Sequence, residues 1–252
     1  MTRRRWIADE WREGHAALTG AHAEHLSRVL RARPGDEFDI AAGGRVWRGR
    51  VSRITPERVE FELAHELATA PGNNIAVAIA IFKFDRMEWA IEKLTELGAS
   101  LIIPFSARRS DPHLVSAATR RIERWRRVVL AASEQSRRTS PPQISDLLNF
   151  RQVAAASAGL KIVASETAAT DASLPCVLGS VLNSRGEVPA SVTVESDIMI
   201  AIGPEGGWTA GELDLLKSAG WREASLGAAI LRAETAAIAA VAVCAAWMAN
   251  PP

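Results

Sequence analysis

The period of apolar and polar positions changes along the chain. Near the N-terminus "AHAEHLSRVLRA" has helical spacing, and "GDEFDIAAGGRVWRGRVSRITPERVEFELAHEL" follows as short β-rich runs broken by Gly-Gly and Thr-Pro. That is the pattern of a meander or small barrel, so residues 1–70 are predicted to form a compact β-rich domain. "ATAPGNN" concentrates turn chemistry at Pro71, Gly72 and two asparagines and reads as a linker. From 71 to 252 continuous apolar runs alternate with amphipathic ones. "IAVAIAIF", "SLIIPFS", "LKIVAS", "DIMIAIG" and "REASLG" read as strands, and "RMEWAIEKLTEL" reads as a helix stopped by Gly98. Such alternation predicts an α/β domain, a mostly parallel sheet with helices on its faces. Residues 167–196 are rich in Ser and Ala and predict loose order.

Local polar spacing adds caps and pairs. Asp85 with Glu88, and Thr209 with Glu212, have the three-residue offset of a capping box. Glu96, in the last turn before Gly98, opposes the helix dipole and calls for a cation such as Arg109.

The formal net charge of +1 conceals a division. Residues 1–82 carry 12 basic and 11 acidic side chains, residues 83–138 carry 12 and 7, and residues 139–252 carry 6 and 11. The middle is basic and the C-terminal part acidic. Within the middle, "TRRIERWRR" places Ile122, Trp125, Val129 and Ala132 on one helical face and Arg120, Arg124 and Arg127 on another. A solvated face would look the same. Arg108, Arg109, Arg137 and Arg138 extend the charge beyond that helix, which favours a polyanion, and nucleic acid is the natural partner. Cys176 and Cys244 sit in separate apolar stretches with no metal-ligand spacing, which predicts buried thiols, a reducing compartment and no metal. "MTRRRWIADEWREG" has no apolar run, and "AETAAIAAVAVCAAWMAN" is too short and alanine-rich to span a bilayer. A cytoplasmic protein without a membrane segment is expected.

"IGPEGGWTAGELDLLKSAG" then joins an apolar run to an amphipathic one through three glycines, a proline and one carboxylate. It lacks the Lys-Ser/Thr of a phosphate loop and the spacing of a dinucleotide fingerprint. Backbone amides with a single anionic side chain at the end of a parallel strand suit a neutral or cationic ligand. "LGAAILRAETA" leaves the next strand with Arg232 and Glu234 close together, so two strand-end loops are predicted to share one pocket. The five histidines lie within the first 113 residues and pair with no nucleophile motif.

"IGPEGGWTAGELDLLKSAGWREASLGAAILRAETAA" resembles the C-terminal signature of the SPOUT-class methyltransferases, and most closely the bacterial small-subunit ribosomal RNA uridine N3-methyltransferases. "HLSRVLRARPGDEFDI", "KFDRMEWAIEKLTELGASLIIPFSARRS" and "ASEQSRRTSPPQI" are similar to earlier segments of that family in the same order. The resemblance implies a PUA-like β-barrel RNA-binding domain followed by a SPOUT domain with a C-terminal trefoil knot, S-adenosyl-L-methionine bound there, and a homodimer acting on small-subunit ribosomal RNA. It places Ile202, Gly203, Glu205, Gly206 and Gly207 on one side of the donor and Leu226, Gly227, Ile230, Leu231 and Arg232 on the other, with Glu166 contributing. Arg86, Arg108, Arg109, Arg120, Arg124, Arg127, Arg137 and Arg138 are then the expected RNA contacts. The chain departs from the family at three points. Ala229 stands for a usual arginine, Arg137 for a usual glycine, and Lys83-Phe84-Asp85-Arg86 for the usual Lys-Gly-Asp-Arg.

Methylation of uridine N3 needs in-line alignment and removal of the N3 proton. Arg232 is expected to steady negative charge on the uracil oxygens, and Glu205 or Glu234 to take the proton. Glu234 also fits a plain role at the start of the last helix. Ribose 2′-O-methylation and a non-catalytic RNA-binding derivative remain alternatives. The last helix, apolar around most of its circumference, predicts a two-fold dimer in which Ala236, Ala239, Ala240 and Val243 permit close approach.

Overall fold

The computed structural model describes residues 5–69, 72–169, 171–182 and 197–249. The chain divides into two compact units, residues 1–71 with 130–141, and residues 72–129 with 142–252. Pro71 of the linker reading and residues 183–196 of the Ser/Ala-rich stretch lie outside the described residues.

In the first unit, strands β1 (Arg5–Ile7), β2 (Glu10–Arg12) and β3 (His15–Thr19) precede helix α1 (Gly20–Glu24), which runs on through one π-helical stretch at His25–Val29. Strands β4 (Glu37–Ala42), β5 (Arg45–Ile54) and β6 (Arg58–Leu67) complete a six-stranded sheet in the order β1-β4-β5-β6-β3-β2. The β5–β6 pairing shifts register twice, between Trp47 and Gly49 and between Val51 and Arg53. Bulges of this kind bend a strand and increase its twist. Trp6, Leu18, Leu26, Ile40, Val59 and Phe61 fill the core on the inner face. The 130–141 segment, expected within the second domain, groups with this first unit. Buried Glu134 lies 3.3 Å from His22 Nε2, and the Arg137 carbonyl accepts from the Arg5 guanidinium. Arg137 has φ +59°, a left-handed backbone that accounts for glycine being usual there.

The second unit carries β7 (Ile75–Ala80), α2 (Phe84–Glu96), β8 (Ala99–Ser106), α3 (Pro112–Ala118), α4 (Ile122–Gln135), β9 (Gln143–Ile144), β10 (Leu148–Asn149), α5 (Phe150–Ala154), β11 (Leu160–Ala164), α6 (Leu174–Leu182), β12 (Ile198–Ile202), α7 (Ala210–Ser218), β13 (Arg222–Ala224) and α8 (Ala233–Ala249). The last turns of α4 group with the first unit. All described strand pairs of this sheet are parallel, in the order β10-β8-β7-β12-β11-β13, with β9 on β8. β7 and β12 are buried along their whole length because helices cover both faces, as continuous apolar runs require. The α/β expectation holds. On α4 the apolar face predicted at Ile122, Trp125, Val129 and Ala132 is buried.

Three local expectations are corrected. α2 begins two residues early, after Lys83, and Asp85 caps nothing; Glu88 turns instead to Arg124 at 2.6 Å, a charged partner competing with a backbone amide. Glu96 pairs with Lys93 on its own helix at 2.7 Å, three residues away and so on the same face, and not with Arg109. Of the two thiols only Cys244 is buried. α6 turns Leu174, Val177 and Leu178 inward, which leaves Cys176 exposed. Burial pushes the Cys244 thiol up to about 12. A thiol-reactive dye is therefore expected to label one cysteine of the native protein and two in denaturant. Two labelled in the native state would place Cys244 outside the core.

Candidate functional site

Because β11, β12 and β13 are parallel, their C-terminal ends lie at one edge of the sheet, and three consecutive loops meet there. They enclose a cleft of about 480 Å³, within the range of small-molecule sites. Residues 164–167 line it after β11, residues 202–208 after β12 and residues 225–232 after β13. Every expected donor contact, Glu166, Ile202, Gly203, Glu205, Gly206, Gly207, Leu226, Gly227, Ile230, Leu231 and Arg232, is among the lining residues. Ala229 also lines it and leaves Arg232 as the cation of that loop. Ile230 is 82 % exposed at the rim, an apolar side chain that a bound molecule would cover.

The glycine loop takes its shape from backbone geometry. Gly207 has φ +69° and Gly227 has φ +125°, where an L side chain is strained. Gly203 is required for a different reason. A Cβ there would sit 2.9 Å from the Trp208 ring. Trp208 folds back across the loop, donates from Nε1 to the Ala164 carbonyl at 2.9 Å and stacks on Phe105 with ring centroids 6.1 Å apart. It thereby ties the β12 loop to the β11 loop. Past it, Thr209 and Glu212 form the expected capping box of α7. Glu212 is 6 % exposed and is held further by the Arg108 backbone N–H, which donates to Oε1 at 2.8 Å. A Cβ at Gly206 would meet Arg109 Cβ at 3.2 Å.

The structure separates the expected catalytic carboxylates. Glu205 lines the cleft and receives Arg86 Nη1 at 2.7 Å. Glu234, in the first turn of α8, is only 5 % exposed and is not a lining residue; its Oε1 lies 3.8 Å from Arg86 Nε, and its Oε2 has no hydrogen-bond partner. Arg232 is exposed and makes no ion pair among the described residues. The arginines sort as well. Arg86 and Arg109 turn to the glycine loop, Arg109 Nη1 donating to the carbonyls of Gly206 at 2.8 Å and Trp208 at 3.3 Å. Arg124 is held by Glu88, while Arg108, Arg120 and Arg127 are exposed. Arg137 and Arg138 belong to the first unit, and burial lowers the Arg138 pKa. Trp208, Ser165, Thr167 and Ser225 are lining residues that the sequence did not single out. For Trp208 a signal existed, since a tryptophan beside glycines needs both a surface to cover and an acceptor for its N–H.

A family profile described as RNA methyltransferase domain matches residues 69–245, and one described as RNA methyltransferase PUA domain matches residues 18–64. Ribosomal RNA small subunit methyltransferase E of Synechocystis sp. is 35% identical over 91% of this chain and 72% of its own length. The chain belongs to the ribosomal RNA small subunit methyltransferase E family. The Bacillus subtilis member is 29% identical over 89% of this chain and 87% of its own. A crystal structure of the Neisseria gonorrhoeae member bound to S-adenosyl methionine superimposes with a TM-score of 0.77 at 29% identity, covering 96% of each chain. The parallel α/β unit preceded by a small β unit is thus the architecture of a methyltransferase E with its PUA-like domain. Among the described residues no helix is long and apolar enough to cross a membrane, and no cluster of three or more metal-ligating side chains is found.

Proposed function

We propose that this chain transfers a methyl group from S-adenosyl-L-methionine to N3 of a uridine in small-subunit ribosomal RNA. The observation that carries the reading is the convergence of three strand-end loops on one cleft lined by all eleven expected donor contacts, in a chain of this family. The residues fit the donor chemically. Glycine backbone can approach an adenosine closely, and Glu166 offers an anionic side chain to a sulfonium or ammonium group, Glu205 being paired with Arg86. The trefoil knot implied by the resemblance would hold the donor between the β12 and β13 loops.

When bound, S-adenosylmethionine supplies an electrophilic methyl group on sulfur. Arg232, exposed at the cleft rim, is placed to steady negative charge on the uracil oxygens as N3 loses its proton. Glu205 accepts that proton, directly or through a water, because it lines the cleft whereas Glu234 is buried behind Arg86. Glu234 acts through Arg86, as the buried counter-charge that keeps the guanidinium beside Glu205. The uridine must be unstacked to reach the cleft, so locally opened RNA is the substrate. In RNA lacking this activity, nucleoside mass analysis is expected to show loss of N3-methyluridine, restored by the wild-type chain and not by Arg232→Ala. Loss of a ribose-methylated nucleoside instead would assign 2′-O chemistry, and no change would indicate a non-catalytic derivative.

RNA is proposed to follow the exposed cations Arg108, Arg120 and Arg127 of the second unit. Replacing Arg120 and Arg127 with glutamine is expected to weaken RNA binding and reduce the slope of log affinity against log salt by roughly one to two. Donor affinity should stay constant in that variant; an unaltered salt slope would make the helix a solvated face. We also propose a cytoplasmic homodimer. On α8, Thr235, Ala239, Ala242 and Ala246 form one stripe that the chain leaves partly or fully exposed, and small side chains there permit close helix approach.

A further inference from the structure

We infer that Arg109 is a positioning residue for methyl transfer, bracing the glycine loop in its donor-binding form from outside the cleft. The inference rests on the donor reading above and adds a residue that touches neither donor nor uridine. Three observations carry it. Arg109 lies in the turn after β8, closed by Ser110, whose N–H donates to the Ala107 carbonyl and whose Oγ accepts from the Ala107 N–H. That turn is fixed to the far end of the glycine loop, because the Arg108 N–H is bonded to buried Glu212 in the capping box of α7. From this anchored position the Arg109 guanidinium donates to the carbonyls of Gly206 and Trp208, two residues on either side of left-handed Gly207.

A carbonyl fixed in space fixes the orientation of the peptide that carries it, and with it the N–H of the next residue. The Gly206 carbonyl belongs to the peptide whose N–H is that of Gly207, and Gly207 lines the cleft beside Glu166. That N–H closes the loop's turn onto the Pro204 carbonyl at 2.8 Å, so Arg109 fixes the turn that forms this cleft wall without entering the cleft. Charge assistance makes the two bonds stronger than water-exchanged neutral ones. The close approach of Gly206 to Arg109 belongs to the same contact: a Cβ at 206 would sit 3.2 Å from Arg109 Cβ, so the two must move apart by a few tenths of an ångström.

The test is a double-mutant cycle on the full chain, with S-adenosylmethionine as the titrant in calorimetry. Arg109→Ala is expected to raise donor Kd roughly tenfold, the scale of losing hydrogen bonds from a charged donor. The rate at saturating donor should fall less than about threefold, because Arg109 holds the loop and does not act on the reacting atoms. Arg109→Lys, which keeps one donor and the charge, should recover part of the affinity, and it also serves if the alanine variant folds poorly. Gly206→Ala should weaken donor binding in the wild-type background and cost little more in the Arg109→Ala background, where Cβ remains but the guanidinium bonds that a displaced loop would lose are already gone. Unchanged donor affinity in Arg109→Ala, or strictly additive effects in the cycle, would overturn the inference. So would a salt slope for RNA lowered by about one with donor affinity intact, which would make Arg109 a phosphate contact. Failure of the donor reading itself is distinguishable, because the wild-type chain would then give no heat with S-adenosylmethionine.

Discussion

Ala240→Arg is expected to abolish the fold of the second unit, not to release a partner subunit. The sequence placed Ala240 among small residues at a helix interface between copies, but it is 1 % exposed within its own chain. α8 packs on α2, α6, β7 and β12, and Ala237, Ala240, Val241 and Cys244 form the face that meets them. An arginine there must overpack the site and bury a cation among apolar neighbours. The penalty is several kcal/mol for the charge alone, against a total stability of roughly 5–15 kcal/mol. Circular dichroism should show loss of the cooperative thermal transition, with the protein recovered largely insoluble. A soluble variant with wild-type Tm would contradict the core position. Ala246→Arg is the informative companion, because Ala246 is exposed. It should keep the wild-type Tm within a few degrees, and sedimentation of that variant against wild type then tests the dimer without confusing assembly with folding.

Gly203→Val is expected to cost roughly a hundredfold in donor affinity while leaving the protein folded. Valine can adopt the backbone of this residue, so the effect is steric. Its Cβ would lie 2.9 Å from Trp208 Cε2 and 3.0 Å from Nε1, closer than real side chains approach. Trp208 cannot yield freely, since it is held by the Ala164 carbonyl and packed against Phe105 and Phe150. Pushing the indole aside breaks the tie between the β11 and β12 loops, so two walls of the cleft move together. Calorimetric titration with S-adenosylmethionine checks the loss, and a thermal melt checks the fold. Gly211→Ala is the control, because a Cβ there meets nothing within 4 Å; its donor affinity should equal wild type. A Gly203→Val protein that binds the donor normally would show that Trp208 is not a fixed wall.

Several features were determined by sequence alone, each for a local reason. Continuous apolar runs such as "IAVAIAIF" can only be satisfied by burial on both faces, which dictates a covered parallel strand. The Thr209–Glu212 capping box is closed within four residues and needs no distant partner. The glycines at 203, 206 and 207 and the loop after "REASLG" pointed to the candidate cleft because their family pattern is written in consecutive residues. What the tertiary structure decided concerns partners far apart in the chain. Arg86 and Arg109 look like members of a basic surface until the fold brings them, 119 and 97 residues away, to Glu205 and to Gly206. Glu234 looks equivalent to Glu205 until helix packing buries it behind Arg86. Asp85 with Glu88 has the spacing of Thr209 with Glu212, yet Glu88 answers to Arg124 on another helix. The assignment of Leu130–Pro141 to the first unit and the inward turn of Ala240 have the same origin. Composition and period establish that a side chain will be buried or charged, whereas which neighbour satisfies it depends on how separate elements pack, since burial and ion pairing act between residues that only folding makes adjacent.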